Sequence, residues 1–256
     1  MIASSSTLPR LPPENIYGHL KKLRFLQAAL NRVAARRGGR IAVLDFGCGN
    51  GAAVTRFLAA PGVELHGVDI HAPSLEYARA HWPGIHFHDR VPGGMRWDAI
   101  VYADVLEHLD DPASTVREHV LHLAQDGIVA GAVPNGYGPF EMEKRIARWS
   151  GADAAVRAAG AMRRALGGAP HVSEGPPYNL DSGHVQFFTR RTLHGLLAGA
   201  GLRVDALANG AWLGAPLSER FLLRGERVAR LNAAVADRLP AAWVSTWYFE
   251  ASRAAV

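Results

Sequence analysis

Val43-Leu44-Asp45-Phe46-Gly47-Cys48-Gly49-Asn50-Gly51 runs straight into Ala52-Ala53-Val54-Thr55-Arg56-Phe57-Leu58. An apolar run that starts at Ile41 stops at three glycines in alternate positions, and a helical pattern follows. Such an order reads as a buried parallel strand, a tight turn and a helix N-terminus, the usual cradle for a nucleotide-like ligand. Glycine serves where the backbone takes positive φ and the ligand must approach without a Cβ in the way.

The spacing discriminates between ligands. A dinucleotide fingerprint reads G-x-G-x-x-G and offers a pyrophosphate bare amides at a positive helix end. Here the glycines are spaced G-x-G-x-G, and Ala52 and Ala53 stand where the third glycine is expected. Asp45 at the mouth of the loop would repel a pyrophosphate, which argues against a nicotinamide-dependent dehydrogenase. The same carboxylate suits a ligand that carries an ammonium and a sulfonium. S-adenosylmethionine carries both.

In these residues the sequence resembles the class I S-adenosylmethionine-dependent methyltransferases, whose first motif commonly reads V-L-D-x-G-C-G-x-G. The next strand, residues 63–70, ends in Asp69 and Ile70, about 20 residues past the loop. A carboxylate there accepts hydrogen bonds from both ribose hydroxyls. Pro73 then opens a helix over 74–82, where its missing N–H costs least. Strand, acid and helix match the family's second motif. A third strand, 85–89, ends in Asp89, which the resemblance places beside the adenine amino group. The small residue usual after it is replaced by Arg90. The resemblance thus implies cofactor contacts at Asp45, Gly47, Cys48, Gly49, Asp69, Ile70, Asp89 and Ala103. His86 and His88 share one strand face at period two and are read as structural.

A fourth strand, 97–103, leads into Asp104-Val105-Leu106-Glu107-His108-Leu109, which resembles the family's fourth motif, E-V-L-E-H. Residues just past the C-terminal strand ends of an open α/β sheet face the ligand crevice. An oxygen or nitrogen acceptor must shed a proton, and His108 and His184 are the candidate general bases. Asp104, Glu107 and His108 also have the i, i+3, i+4 spacing of one helical face. With His184 they form a second candidate, a set of ligands for Mg²⁺, Mn²⁺ or Zn²⁺. That set resembles the metal site of small-RNA 3′-terminal 2′-O-methyltransferases and of quinone-biosynthesis O-methyltransferases. There a divalent ion holds two neighbouring hydroxyls and lowers the pKa of the one methylated. Asp104 stands where those relatives have Glu, and the base role is the first expectation.

The fold that the resemblance implies is α/β: a Rossmann-like, doubly wound, seven-stranded sheet with its last strand antiparallel, to which this sequence adds a helical cap insertion. Residues 1–40 are read as an arm and a covering helix over 15–37, with Tyr17 and His19 facing the pocket. Residues 41–134 are read as the cofactor-binding core, with a helix from Asp111 through Ala124 and a fifth strand over 128–133. Residues 135–182 form the cap, with helices near 140–149 and 152–166. The remainder, 183–256, holds a helix capped by Thr189, a sixth strand over 201–207, a helical stretch around 216–239 and a last strand over 243–249.

Composition bounds the function. The chain has 256 residues, 48% hydrophobic and 20% charged, as in soluble globular proteins. No apolar run reaches bilayer length, and the Ser/Pro-rich start shows no signal peptide. Cys48 is the single cysteine, so no internal disulfide can form, which fits a reducing cytoplasm. The net charge of +5 is spread along the chain without a basic stripe, which argues against a nucleic acid target. Tyr137, Trp149, Tyr178, Phe187, Trp212, Arg220 and Arg224 are the candidate acceptor lining, favouring a ring, a lipid or an anionic group. The aromatic tail is a candidate surface for pairing subunits into a homodimer. The function expected is methyl transfer to an oxygen, less readily a nitrogen, of a small-molecule or glycan- or lipid-linked substrate. Two alternatives stand beside it: an inactive S-adenosylmethionine-binding sensor or partner subunit, and a metal-dependent 2′-O-methyltransferase of RNA 3′ ends.

Overall fold

A computed structural model describes residues 18–149, 177, 183–214, 218 and 225–254. Its frame is a sheet of β1 (Ile41–Phe46), β2 (Val63–Val68), β3 (His86–His88), β4 (Trp97–Ala103), β5 (Leu123–Pro134), β6 (Leu202–Asn209) and β7 (Thr246–Arg253). The strand order is β3-β2-β1-β4-β5-β7-β6. β1 to β5 pair in parallel, and β7 lies antiparallel between β5 and β6, the architecture expected. After β3 the chain returns past β1 to lay down β4. That reversal opens a crevice beyond the C-terminal ends of β1 and β4.

The central strands are apolar on both faces because helices cover both faces. Leu44, Ile100, Tyr102 and Val129 pack with Val116 and Val120 of α4 (Pro112–Leu121) and Leu193 and Leu197 of α6 (Arg190–Gly199). Val43, Ala99, Val101 and Ala130 pack with Leu23, Leu26, Leu30 and Val33 of α1 (His19–Arg36). Alternate residues of one strand thus feed two cores. Asp111 caps α4 by accepting from the Ser114 amide, and Thr189 caps α6 in a reciprocal box with Thr192.

Several boundaries differ from the sequence reading. α4 ends at Leu121 and β5 begins at Leu123, because Leu123 pairs with Trp97. The register then shifts between Trp97 and Ala99, and the Gln-Asp-Gly turn signal is absorbed as an irregularity inside the strand. β7 extends to Arg253, while residues 241–243 form a 3₁₀ turn. Pairing on both sides carries Glu250 and Ser252 into the ladder despite their polarity, Arg253 pairs with Leu202 alone, and Glu250 is ion-paired with Arg32. In the stretch read as helical around 216–239, α7 occupies Glu226–Ala236. The expected arm, the helix start at 15–17 and the helix over 152–166 lie outside the described residues. Among the described residues no helix is long and apolar enough to cross a membrane.

Candidate active site

The turn after β1 takes positive φ at Gly47 (75°), Gly49 (55°) and Gly51 (71°). The Gly47 and Cys48 amides donate to the Val68 carbonyl at 2.8 and 3.0 Å, tying the turn to the end of β2. A Cβ on Gly47 would stand 2.3 Å from Val105 Cγ2. Gly47→Ala therefore meets both backbone strain and a clash. It is expected to weaken S-adenosylhomocysteine binding at least about ten-fold and to lower the melting temperature; titration calorimetry with unchanged affinity would remove the close approach from the account. The helix expected directly after Gly51 starts at Thr55 instead, as α2 (Thr55–Leu58).

Thr55 Oγ1 donates to Asp45 at 2.7 Å, and Asp45 is 2% exposed at the end of β1. Burial pushes the Asp45 carboxyl up to about 7, with Asp69 adding to the rise and the Thr55 bond opposing it. Asp69 accepts from the Gly49 amide at 2.7 Å and, just before α3 (Ala72–His81), from the His71 amide at 2.8 Å. It braces the glycine turn, and each oxygen keeps a second lone pair free to accept from a ligand hydroxyl. Asp89 is exposed and pairs with Arg90 at 3.4 Å. Ile70 is exposed on the rim.

Asp45, Gly47, Cys48, Gly49, Asp69, Ile70, Asp89 and Ala103 all line one cavity of about 530 Å³. α1 lies over it and contributes His19 and Lys22. His19 was expected there; Tyr17 lies outside the described residues. Burial, reinforced by Lys22, lowers the His19 pKa to about 4, so its ring is neutral. Lys22 was missed in the sequence, although it sits one helical turn after His19. It forms an ion pair with Asp104.

Asp104 has φ 57°, the one non-glycine residue with positive φ among those described. This left-handed residue, whose amide donates to Ala132, breaks the expected helical face. Residues Leu106–His108 follow as a 3₁₀ turn. The four candidate ligands are therefore divided. Asp104 faces Lys22 in that cavity, while Glu107, His108 and His184 bring one ligating atom each within 4.8 Å of the others. His108 Nε2 lies 4.0 Å from Glu107 Oε1, and the His108 and His184 rings meet edge-on with centroids 5.0 Å apart. His108 also lines the cavity, so the cluster and the cavity share a wall.

Backbone contacts explain how His184 reaches this turn. The Val185 and Gln186 amides both donate to the Glu107 carbonyl, and the Gln186 side chain donates to the carbonyls of Leu109 and Asp110. His108 Nδ1 faces the Gly183 carbonyl at 3.1 Å, so Nδ1–H donates and Nε2 is left toward the cluster. Burial lowers the His108 pKa. Glu107 is 1% exposed, and its Oε2 has no hydrogen-bond partner among the described residues. Burial, followed by the charge of Asp104, raises its pKa well above the carboxylate range.

His184 Nδ1 lies 2.8 Å from Oε1 of Glu141, in the first turn of α5 (Pro139–Trp149). Lys144 Nζ donates to the same oxygen at 3.0 Å. Burial pushes the Glu141 carboxyl up, but the bonds from His184 and Lys144 prevail and hold it below its ordinary value. Glu141 was missed in the sequence, where no spacing relates it to His184.

Of the candidate acceptor lining, four residues fall among those described. Tyr137, Trp149, Phe187 and Trp212 are exposed and do not line the cavity. They are large rings near the ends of elements, and only the closed fold shows which way they face. Tyr178, Arg220 and Arg224 lie outside the described residues. His86 and His88 stack with His66, and His88 Nε2 lies 3.0 Å from His66 Nδ1, consistent with the structural role read for them.

A sequence model of the family described as "Methyltransferase domain" matches residues 17–207. The ubiquinone biosynthesis O-methyltransferase of Serratia proteamaculans is 32% identical over 127 residues, which cover 44% of this chain and 52% of that protein. The chain spans about half the length of the curated relatives it matches. Among solved structures, the plantazolicin methyltransferase BamL, in complex with a triazolic desmethylPZN analogue and S-adenosylhomocysteine, superposes with a TM-score of 0.54 at 14% identity. That alignment covers 92% of this chain and 85% of BamL. The [4+2]-cyclase SpnF superposes with a TM-score of 0.51 at 16% identity, covering 90% of this chain and 82% of SpnF. At such identities the superpositions speak for the fold alone.

Proposed function

We propose an acceptor and a chemistry for a chain that belongs to the class I S-adenosylmethionine-dependent methyltransferases: methyl transfer to an oxygen, less readily a nitrogen, of a small molecule. The observation that carries this reading is the cluster past β4. There His108 walls the cofactor cavity, and its Nε2 is turned toward Glu107 and His184. Proton-accepting groups stand where an acceptor hydroxyl would meet the donor.

The donor's positive head would lie toward Asp45, its ribose against Asp69 and its adenine between Ile70 and Asp89. Transfer is an in-line displacement. The acceptor oxygen forms a bond to the methyl carbon while the carbon–sulfur bond breaks, its electron pair returning to sulfur as a neutral thioether. The acceptor's proton passes to His108 Nε2, or to His184 if the acceptor enters from that side. The lowered pKa of His108 leaves its ring neutral and able to accept near pH 7. Glu141 of α5, within the insertion at 135–182, reaches His184 at this cluster, which supports the reading of the insertion as a cap.

Oxygen as the acceptor atom is supported by the relative named an O-methyltransferase, over the half of that protein that aligns. SpnF is a reminder that the fold can host other reactions. A glycan- or lipid-linked acceptor remains within the proposal; an RNA 3′ end is disfavoured by the dispersed charge.

A divalent ion is the second reading, favoured by the buried Glu107 Oε2, which has no partner among the described residues and lies beside two imidazoles. Glu107, His108 and His184 fit the donor chemistry of Mn²⁺ or Zn²⁺ and would hold it, with Asp104 engaged by Lys22 instead. Such an ion supplies a lower pKa for a bound hydroxyl.

The test is release of S-adenosylhomocysteine from S-adenosylmethionine with a panel of phenols, catechols, aliphatic diols and amines. Product with hydroxyl acceptors is expected. Turnover on amines alone would overturn the oxygen reading, and tight S-adenosylhomocysteine binding without turnover on any acceptor would favour a sensor or partner subunit. For the ion, calorimetric titration with Mn²⁺ is expected to show one site that is lost in His108→Ala; no heat, or heat unchanged by the substitution, removes that reading.

A further inference from the structure

We infer that Glu141 is a positioning residue of the reaction site, holding the His184 ring by its Nδ1–H and thereby turning Nε2 toward Glu107 and His108. This rests on the role of His184 proposed above, as proton acceptor or metal ligand. An ionised carboxylate only accepts. With Glu141 Oε1 2.8 Å from His184 Nδ1, the proton sits on Nδ1 and the lone pair on Nε2.

The carboxylate is itself held. Lys144 Nζ donates to the same oxygen at 3.0 Å, keeping the charge and limiting rotation. Glu141 is 1% exposed, so water does not compete for the bond. On the other side of the cluster the Gly183 carbonyl orients His108 in the same manner, at 3.1 Å from its Nδ1. Both imidazoles are therefore fixed from behind by acceptors that lie outside the β4 turn. α5 then does more than cover the acceptor: its first turn sets which nitrogen of His184 can react. Acceptors behind a reacting or ligating imidazole fix its tautomer and raise its basicity, and their loss typically costs about 10- to 100-fold.

The test combines ¹⁵N NMR of histidine-labelled protein with turnover. In the wild type, His184 is expected as the Nδ1–H tautomer. In Glu141→Leu it is expected to move to Nε2–H, the form free imidazole side chains prefer, while His108 stays Nδ1–H and reports an intact fold. Glu141→Gln, whose amide oxygen can still accept, is expected to restore Nδ1–H and recover part of the turnover. Glu141→Leu is expected to lower kcat about 10- to 100-fold with the S-adenosylhomocysteine Kd unchanged. Combined with His184→Ala, it should cost no more than His184→Ala alone. The inference is overturned if His184 keeps Nδ1–H in Glu141→Leu, or if the two losses multiply in the double variant. Full turnover in His184→Ala would instead overturn the reading of His184 on which it rests, whatever the tautomer shows.

Discussion

Asp45→Asn is expected to weaken S-adenosylmethionine binding about 10- to 100-fold at pH 8, the loss of one charge-assisted contact of about 1.5–3 kcal/mol. The same change is expected to raise the melting temperature of the ligand-free protein. Asp45 is buried beside Thr55, with its carboxyl pushed from an ordinary 3.8 to about 7. The folded chain holds that proton up to about pH 7, whereas the unfolded chain releases it near 3.8. Stability contributed at this position is therefore lost as pH rises from about 4 to 7 and stays lost above 7. The gap corresponds to at most about 4 kcal/mol, and asparagine escapes it.

A cationic ligand reverses the preference, because it favours the ionised carboxylate. Wild-type affinity for S-adenosylmethionine is expected to fall as pH drops from 8 to 6, and the affinity of Asp45→Asn to stay nearly flat. Calorimetry at both pH values, with thermal melts of the free proteins, reads both effects. Equal affinity of the two proteins at pH 8 would end the assignment of Asp45 to the donor's positive charge.

His108→Ala is expected to lower kcat about 100- to 10,000-fold, the range for losing a positioned general base. S-adenosylhomocysteine affinity should change far less, because His108 is one wall residue among many in the cavity. Retention of turnover within about ten-fold would remove His108 from the chemistry. A chelator separates the two roles. Proton transfer directly to the ring predicts wild-type turnover indifferent to EDTA, and an ion on Glu107, His108 and His184 predicts loss on chelation and recovery with Mn²⁺.

The legibility of the site follows the distance over which each part is determined. The glycine turn and the strand-end acids are local: a buried strand, a turn and the start of the next element place Asp45, Gly49 and Asp69 wherever the sheet forms. All eight of the cofactor positions read from motifs line the one cavity. The acid–histidine motif was legible as a motif and misread as geometry. Its spacing suits a helix, but Asp104 turns left-handed and sends its carboxylate to Lys22, leaving Glu107 and His108 on a 3₁₀ turn. Leu123 and Glu250 show the same limit in the sheet, where pairing partners rather than local pattern decided where strands begin and end.

From the sequence came the glycine turn, the strand-end acids and the acid–histidine run, because each is written in spacing over a few residues; the antiparallel last strand came from the resemblance to the family. Only the tertiary structure decided that Lys22 claims Asp104, that the backbone at 185–186 docks on Glu107, and that Glu141 stands behind His184. Those contacts join segments 43 to 82 residues apart. Their energy exists only once the chain has closed, so no local pattern in the sequence records them.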